Sequence, residues 1–112
     1  MDTTATIEQI AERLLPIFRE WRGTGVALSR DWLRQQVGCS DRVLRRAVTY
    51  LREEGELIIA DPNGGYRLAR SANEVIEYTS SLKSRIEALR TVVTAMESTA
   101  TREFGASQMA LL

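Results

Sequence analysis

Residues 28–58 read LSRDWLRQQVGCSDRVLRRAVTYLREEGELI, and they carry the strongest structural signal in the chain. Ser29 is a natural N-cap for a short helix over 30–37, because its hydroxyl can accept a hydrogen bond from a backbone N–H of the first turn. Gly38 follows that helix, at a position where a left-handed conformation favours glycine. The pattern predicts a short helix that is closed at both ends.

A second helix follows directly after the tight turn formed by Gly38, Cys39 and Ser40. Ser40 is its expected N-cap, and Gly55 is expected to stop it near residue 54. Apolar residues at helical spacing predict one buried face made of Leu44, Ala47, Val48 and Leu51. The opposite face carries Arg42, Arg45, Arg46 and Thr49. The two helices share a core with Trp32, Leu33 and Val37, which predicts a helix-turn-helix.

Two short apolar segments after Gly55 predict a β-hairpin. Residues 56–60 and 66–69 are its strands, and the turn sequence Asp-Pro-Asn-Gly-Gly lies between them at 61–65. A hairpin that follows a helix-turn-helix is called a wing. The order of elements is therefore typical of a winged helix-turn-helix.

Another helix precedes this motif, over about residues 6–22. Thr6 and Gln9 have the spacing of a capping box, and apolar residues recur at every third or fourth position. Pro16 lies inside the pattern, where we expect it to kink the helix. We expect Trp21 and Trp32 to lie in the core.

The last segment, residues 71–104, begins with the capping-box pair Ser71 and Glu74 and has a heptad repeat. Its core positions, called here the C-terminal seam, are Val75, Thr79, Leu82, Ile86, Leu89, Val93, Met96 and Ala100. A helix of about 30 residues is about 45 Å long and exceeds the size of a small domain. We therefore expect the seam to pair with a second copy of the chain.

The orientation of that pair stays open. β-Branched residues at the first core position and leucine at the second favour a parallel coil of two helices. Arg85 and Arg90 of the two chains would then face each other as like charges. An antiparallel pair, packing on the first helix of a partner, and a helix folded back on its own domain are the alternatives.

These elements predict a mainly α-helical chain with a small β-hairpin. Residues 1–70 form a winged helix-turn-helix domain of three helices and a wing. Residues 71–104 form the long, coiled-coil-like helix, which is the expected dimerisation element. Residues 105–112 form an apolar tail that is a candidate for disorder.

A helix-turn-helix holds its second helix rigidly, so that the outer face can enter the major groove of DNA. Arginine binds guanine through two hydrogen bonds, and threonine contacts a thymine methyl or a phosphate. A wing touches the DNA backbone or the minor groove, where arginine is favoured. The predicted contacts with double-stranded DNA are Ser40, Arg42, Arg45, Arg46, Thr49, Asn63, Gly64, Arg67 and Arg70.

The chain also resembles a known family. Residues 28–58, the phrase Leu-Arg-Glu-Glu-Gly at 51–55 and the phrase Gly-Gly-Tyr-Arg-Leu at 64–68 are similar to the winged helix-turn-helix domains of bacterial biotin-repressor-type regulators. The continuation to residue 85 is similar to small phage and prophage-type winged-helix proteins that end in one long helix. The resemblance covers about 28–89 and implies DNA binding. It implies no biotin chemistry, because the chain has no ligase domain.

Composition narrows the function further. The chain has 112 residues, no His and one Cys, which argues against an enzyme with the usual general base, a zinc cluster or a disulfide framework. We expect no metal, no cofactor and no membrane span, and a cytoplasmic location. The 15 basic and 15 acidic residues cancel, but residues 26–70 hold eight Arg against six acids. We therefore expect little non-specific affinity for DNA, and we expect DNA binding to depend on a dimer.

The sequence therefore predicts a homodimeric, sequence-specific DNA-binding protein, a transcriptional regulator of bacterial or phage origin. The alternative is a protein-interaction adaptor or a phage replication accessory factor, in which the winged helix and the long helix dock a protein partner.

Overall fold

The computed structural model describes residues 5–110, which are mainly helical with one two-stranded antiparallel hairpin. The chain divides into two compact units, residues 1–75 and residues 76–112. The elements, in chain order, are α1 (Ile7–Glu20), α2 (Arg30–Val37), α3 (Asp41–Glu53), β1 (Ile58–Ala60), β2 (Tyr66–Leu68), α4 (Ala72–Phe104) and α5 (Ala106–Met109).

Local capping signals set the starts of the first three helices. Thr6 and Gln9 form the expected reciprocal capping box of α1, and Ser29 and Ser40 cap α2 and α3. Gly38 ends α2 with a left-handed φ of 69°. These helix limits agree with the sequence prediction to within two residues, because each cap is made by a side chain close in sequence to the amide it binds.

One hydrophobic core unites α1, α2, α3 and the hairpin. α3 packs against both α1 and α2. The fully buried large side chains are Ile10, Leu14, Phe18, Leu33, Leu44 and Val48. The predicted stripe of α3 is buried throughout. The predicted burial of Trp21 is wrong: its side chain is 38% exposed, because α1 ends at Glu20 and Trp21 is the C-cap residue.

The hairpin pairs Ile58 with Leu68 and Ala60 with Tyr66. A further bridge, which the sequence did not predict, joins Leu28 to Tyr66: each backbone N–H donates to the other's carbonyl, at 2.8 and 2.9 Å. Gly65 makes this approach possible, since a Cβ at that position would lie 2.6 Å from the carbonyl oxygen of Leu28. The chain before α2 is thereby attached to the hairpin.

α4 has 33 residues, none of them buried, and is about 50 Å long. Its start agrees with the prediction, but Glu74 does not complete a capping box with Ser71. The Ser71 hydroxyl accepts from the N–H of Glu74, whereas the Glu74 carboxylate accepts from the N–H of Arg70. In the predicted tail, α5 follows Gly105, and residues 111–112 lie outside the described part of the chain.

Candidate nucleic-acid interface

The turn between α2 and α3 fixes the first turn of α3. The N–H groups of Gly38 and Cys39 both donate to the carbonyl of Arg34, at 2.7 and 3.2 Å. The Ser40 hydroxyl accepts from the N–H of Val43 at 3.2 Å. Burial raises the pKa of the Cys39 thiol, which keeps this turn residue neutral. The orientation of α3 thus follows from a closed turn and a buried stripe.

The exposed face of α3 holds the predicted arginines. Arg42 and Arg46 are exposed, and neither has an ion-pair partner among residues 5–110. Arg45 differs, because its Nε lies 3.0 Å from the Asp41 carboxylate, which also lies 3.7 Å from Arg30. Two guanidinium groups are therefore available on this face, and a third is held by an acid of the same helix.

Acidic residues limit this basic face at the carboxyl half of α3. Thr49 is exposed, and its hydroxyl donates to the carbonyl of Arg45 at 3.1 Å. Beside it lies a shallow groove lined by Ile7, Arg45, Arg46, Thr49, Tyr50 and Glu53. Glu54 is the main cause of a raised pKa at Tyr50, to which burial, Glu8 and Glu12 add. Positive charge is therefore concentrated in the first two turns of α3.

The predicted wing residues fall into two groups. Asn63 and Gly64 lie exposed at the hairpin loop, which is closed by the Asp61 carboxylate accepting from the N–H of Asn63 at 2.9 Å. Arg67 is the middle residue of β2, and its side chain is only 12% exposed. Its guanidinium donates to Asp61 at 3.2 Å and to both oxygens of Glu74. Arg67 is thus committed to intramolecular ion pairs.

Arg70 joins the same network from the start of α4. Its guanidinium lies 3.6 Å from Glu74 and against the backbone of Gly25, and its side chain stays about half exposed. Sequence reasoning missed the two carboxylates that hold these arginines. Arg67 and Glu74 are seven residues apart in the sequence. That spacing does not predict a contact between them, because the chain changes from a strand to a helix over these residues.

The sequence prediction also left out Arg52, which connects α3 to the hairpin. Its Nε donates to the carbonyl of Ile58 at 2.8 Å, and its guanidinium lies 5.8 Å from the centre of the Tyr66 ring. Arg52 therefore ties the last turn of α3 to both strands of the hairpin. Arg52 thus helps the shared core to hold the hairpin against α3, the two elements predicted to contact DNA.

A shallow cleft lies between the first turn of α2 and the hairpin loop. It is lined by Ala27, Ser29, Arg30, Asp31, Asn63, Gly64 and Gly65. Ser29, the N-cap of α2, and the first two helical residues, Arg30 and Asp31, thus line one side of this cleft. The structure therefore brings the predicted loop residues beside a helix start that the prediction left out of the interface.

The C-terminal seam is a separate surface with unpartnered apolar side chains. Ile86, Leu89, Val93 and Met96 are each more than half exposed, and the remaining seam residues are half-buried. Large apolar side chains beside the seam are exposed as well: Ile76, Val92 and Phe104.

Across residues 5–110, no cluster of three or more His, Cys, Asp or Glu side chains could hold a metal ion, and no helix is both long and apolar enough to cross a membrane. Comparisons of the chain with models of protein families, with curated proteins and with solved structures returned no match.

Proposed function

We propose that this chain is a winged helix-turn-helix protein that binds double-stranded DNA. In this proposal α3 is the recognition helix, the β1–β2 hairpin is the wing, and the C-terminal seam forms a homodimer. A small transcriptional regulator of bacterial or phage origin, acting in the cytoplasm, is the role that such a molecule would fill.

One observation carries the proposal. α3 buries Leu44, Ala47, Val48 and Leu51 on one side and exposes Arg42, Arg45, Arg46 and Thr49 on the other. Because its buried face holds the helix in place, its outer face can enter a groove with little further loss of conformational entropy on binding. The available guanidinium groups lie in the amino-terminal half of α3, which is the half that a recognition helix uses to contact base edges.

The bridge between Leu28 and Tyr66 supports the same proposal. It joins Leu28, between α1 and α2, to the hairpin, and Arg52 joins the end of α3 to β1. Both contacts add to the burial of Ile58 and Leu68 in the shared core. A wing anchored in this way can hold Asn63 and Gly64 at a fixed position beside a DNA backbone.

The charges of Arg67 and Arg70 take a supporting role. Arg67 is engaged by Asp61 and Glu74, and Arg70 is shared with Glu74. We assign Arg67 to wing support, and we retain Arg70 as a phosphate contact because about half of its side chain is exposed. The expected DNA surface is therefore centred on α3, with a smaller contribution from the hairpin loop.

The decisive experiment reverses charge on the face of α3. Arg42→Glu combined with Arg46→Glu removes the two unpaired guanidinium groups, and an acid in the first turn of α3 is favourable for the helix itself. We expect DNA binding, measured by fluorescence anisotropy over a salt series, to be lost while the circular dichroism spectrum is kept. The milder pair of alanine substitutions removes two positive charges from each chain and four from the dimer. The log–log salt slope should therefore decrease by up to about 4, with the full decrease expected where each arginine contacts a phosphate.

The matched control is Arg22→Glu combined with Arg102→Glu. Both arginines are exposed, and neither has an ion-pair partner among the described residues. The control changes the net charge by the same amount and should bind DNA far more strongly than the α3 variant. Equal binding by the two variants would reject the DNA interface and favour the reading of the winged helix as a protein-interaction module.

A further inference from the structure

We propose that two copies of α4 pair in antiparallel orientation, with the two-fold axis crossing the seam between Leu89 and Val93, at the level of residue 91. This inference rests on the dimer in the proposed function and specifies its geometry. The occupant of the exposed seam is then a second copy of the same helix, in a register that can be derived from the positions of its charges and its apolar side chains.

A parallel pair gives a poor match beside the seam. Heptad positions that flank the core would place Arg85 of each chain against Arg90 of the other, so that two like-charge contacts arise per dimer. The same arrangement places the exposed Val92 against Glu97. Neither the charges nor the apolar side chains outside the seam find a complementary partner.

An antiparallel pair centred on residue 91 reverses this outcome. Two core residues then face each other when their residue numbers add up to 182, so that Ile86 faces Met96 and Leu89 faces Val93 of the second copy. Beside the core, Lys83 lies against Glu97 of the second copy, and symmetry gives this contact twice. Lys83 and Glu97 are both exposed and have no ion-pair partner among residues 5–110.

The same register covers the apolar side chains that lie beside the seam. Ile76 of each chain faces Phe104 of the other, and Val92 faces its own counterpart across the axis. These three side chains are 59%, 66% and 53% exposed in the single chain. Pairing removes them from water together, which is the main source of favourable free energy in helix association.

Shape agrees with this register as well. Ala100 is the smallest core residue of the carboxyl half, and a shallow apolar depression surrounds it, lined by Ala95, Met96, Thr99, Ala100, Glu103 and Phe104. In the register centred on residue 91, Leu82 of the second copy faces Ala100. A large side chain is thereby placed opposite a small one.

Other antiparallel registers fit less well. Moving the axis toward the amino terminus by half a heptad places Lys83 against Arg90, which repeats a like-charge contact. Moving it the same distance toward the carboxyl terminus gains a contact of Arg90 with Glu97, but it sets Glu103 opposite Ile86 rather than Thr79 and places Lys83 beside the apolar Phe104. In the favoured register Arg90 does meet its counterpart at the axis, but Glu87 of each chain already lies 3.4 Å from Arg90 and offsets that charge.

A charge-swap cycle on the full chain tests the orientation. Lys83→Glu and Glu97→Lys should each weaken the dimer about tenfold, because each turns two attractions into two repulsions. The double variant should return to within about twofold of the parent dissociation constant, measured by sedimentation equilibrium. Residues 83 and 97 of one helix are about 21 Å apart, beyond the screening length in physiological salt, so coupling between them must cross the interface.

Glu77→Lys is the control partner for Lys83→Glu, because residue 77 faces outward in either orientation and should restore nothing. A spin label at residue 77 in a Cys39→Ser background gives a second readout. The antiparallel dimer separates the two labels by about 42 Å along the axis, whereas a parallel dimer leaves only the width of two helices, about 20 Å. Dimers without coupling, or with the short distance, would overturn the antiparallel geometry alone. A chain that stays monomeric would overturn the dimer as well, while DNA binding by α3 is judged by its own assay.

Discussion

The guanidinium of Arg67 and the carboxylate of Glu74 form a two-point ion pair, with Nη1–Oε1 at 3.1 Å and Nη2–Oε2 at 2.6 Å. Both side chains are less than one-fifth exposed. The contact joins the hairpin to the first turn of α4, within the same compact unit. Bonds from Arg67 and from the N–H of Arg70 hold the pKa of Glu74 at about 2, below its ordinary value of 4.5.

This ion pair predicts an acid-sensitive hairpin. A carboxylate with a depressed pKa stabilises the fold fully above its unfolded pKa, and this contribution is lost as pH falls through the folded pKa. The free energy of unfolding should therefore decrease between pH 4.5 and about 2. Asp61, whose pKa is lowered first by the N–H of Asn63 and then by Arg67, acts in the same direction.

Glu74→Gln should reduce this acid limb, which is the decrease in the free energy of unfolding between pH 4.5 and about 2. Urea unfolding across that pH range, with tryptophan emission as the signal, measures it. It should also lower stability at neutral pH, because Arg67 loses one of its two carboxylate partners. Glu77→Gln, an exposed acid of the same helix, is the control and should keep the acid limb of the parent. Identical pH profiles for the parent and Glu74→Gln would show that the pair contributes nothing.

The two glycines at the end of the hairpin loop should differ in their tolerance of alanine. Gly64 and Gly65 both have a positive φ, at 102° and 85°, so each substitution strains the backbone at a cost of about 1–2 kcal/mol. A Cβ at residue 64 meets nothing within 4 Å, whereas one at residue 65 meets the Leu28 carbonyl. Gly65→Ala should therefore lose at least about 1 kcal/mol more than Gly64→Ala in chemical denaturation. Equal losses would mean that the bridge from Leu28 to Tyr66 adds no stability.

Ser40 allows its capping role to be separated from its proposed phosphate contact. Ser40→Ala should reduce the free energy of unfolding by about 1 kcal/mol, because the N–H of Val43 loses its acceptor. Ser40→Asp keeps an acceptor and should keep the stability, yet it places a negative charge where a phosphate is proposed to bind. We expect the aspartate variant to be as stable as the parent and clearly weaker in DNA binding. An aspartate variant that binds DNA normally would remove Ser40 from the interface.

We expect the Asp41 carboxylate to lower the affinity of the protein for DNA. Asp41 lies on α3, the helix that we propose to enter the groove. Its carboxylate forms an ion pair with Arg45 of the same helix and lies 3.7 Å from Arg30 of α2. Asp41→Asn releases both arginines and removes one repulsive charge, so affinity for DNA should rise on the order of fivefold at low salt. The helix should lose about 0.3–1 kcal/mol from its first turn. Glu20→Gln, which removes an exposed acid at the end of α1, is the control, and an equal gain in that variant would indicate a non-specific effect of net charge.

The helices could be predicted because their determinants are close in sequence. Thr6 caps α1 through Gln9, Ser40 caps α3 through Val43, and Gly38 closes α2. The exposed face of α3 followed from the same helical periodicity. The DNA contacts and the dimer that these faces suggest stay predictions.

The parts that the sequence did not predict depend on distant contacts. The bridge of Leu28 to Tyr66 joins residues 38 positions apart, and the short apolar run before Ser29 was the only local indication of a strand. Arg67 reads in the sequence as an exposed wing arginine. Its burial between Asp61 and Glu74 depends on where the hairpin lies relative to the start of α4, and no local pattern contains that information.

The edge-to-face contact of Trp21 with Trp32, with ring centres 6.4 Å apart, gives the molecule a built-in optical reporter. Both tryptophans of the chain lie in the first compact unit, so their emission follows the melting of that unit alone. Far-ultraviolet circular dichroism takes its largest share from α4, the longest helix. Heating one sample under both detectors therefore separates loss of the domain from loss of the long helix. A dichroism midpoint that rises with protein concentration, while the emission midpoint stays fixed, would assign self-association to the long helix without any label.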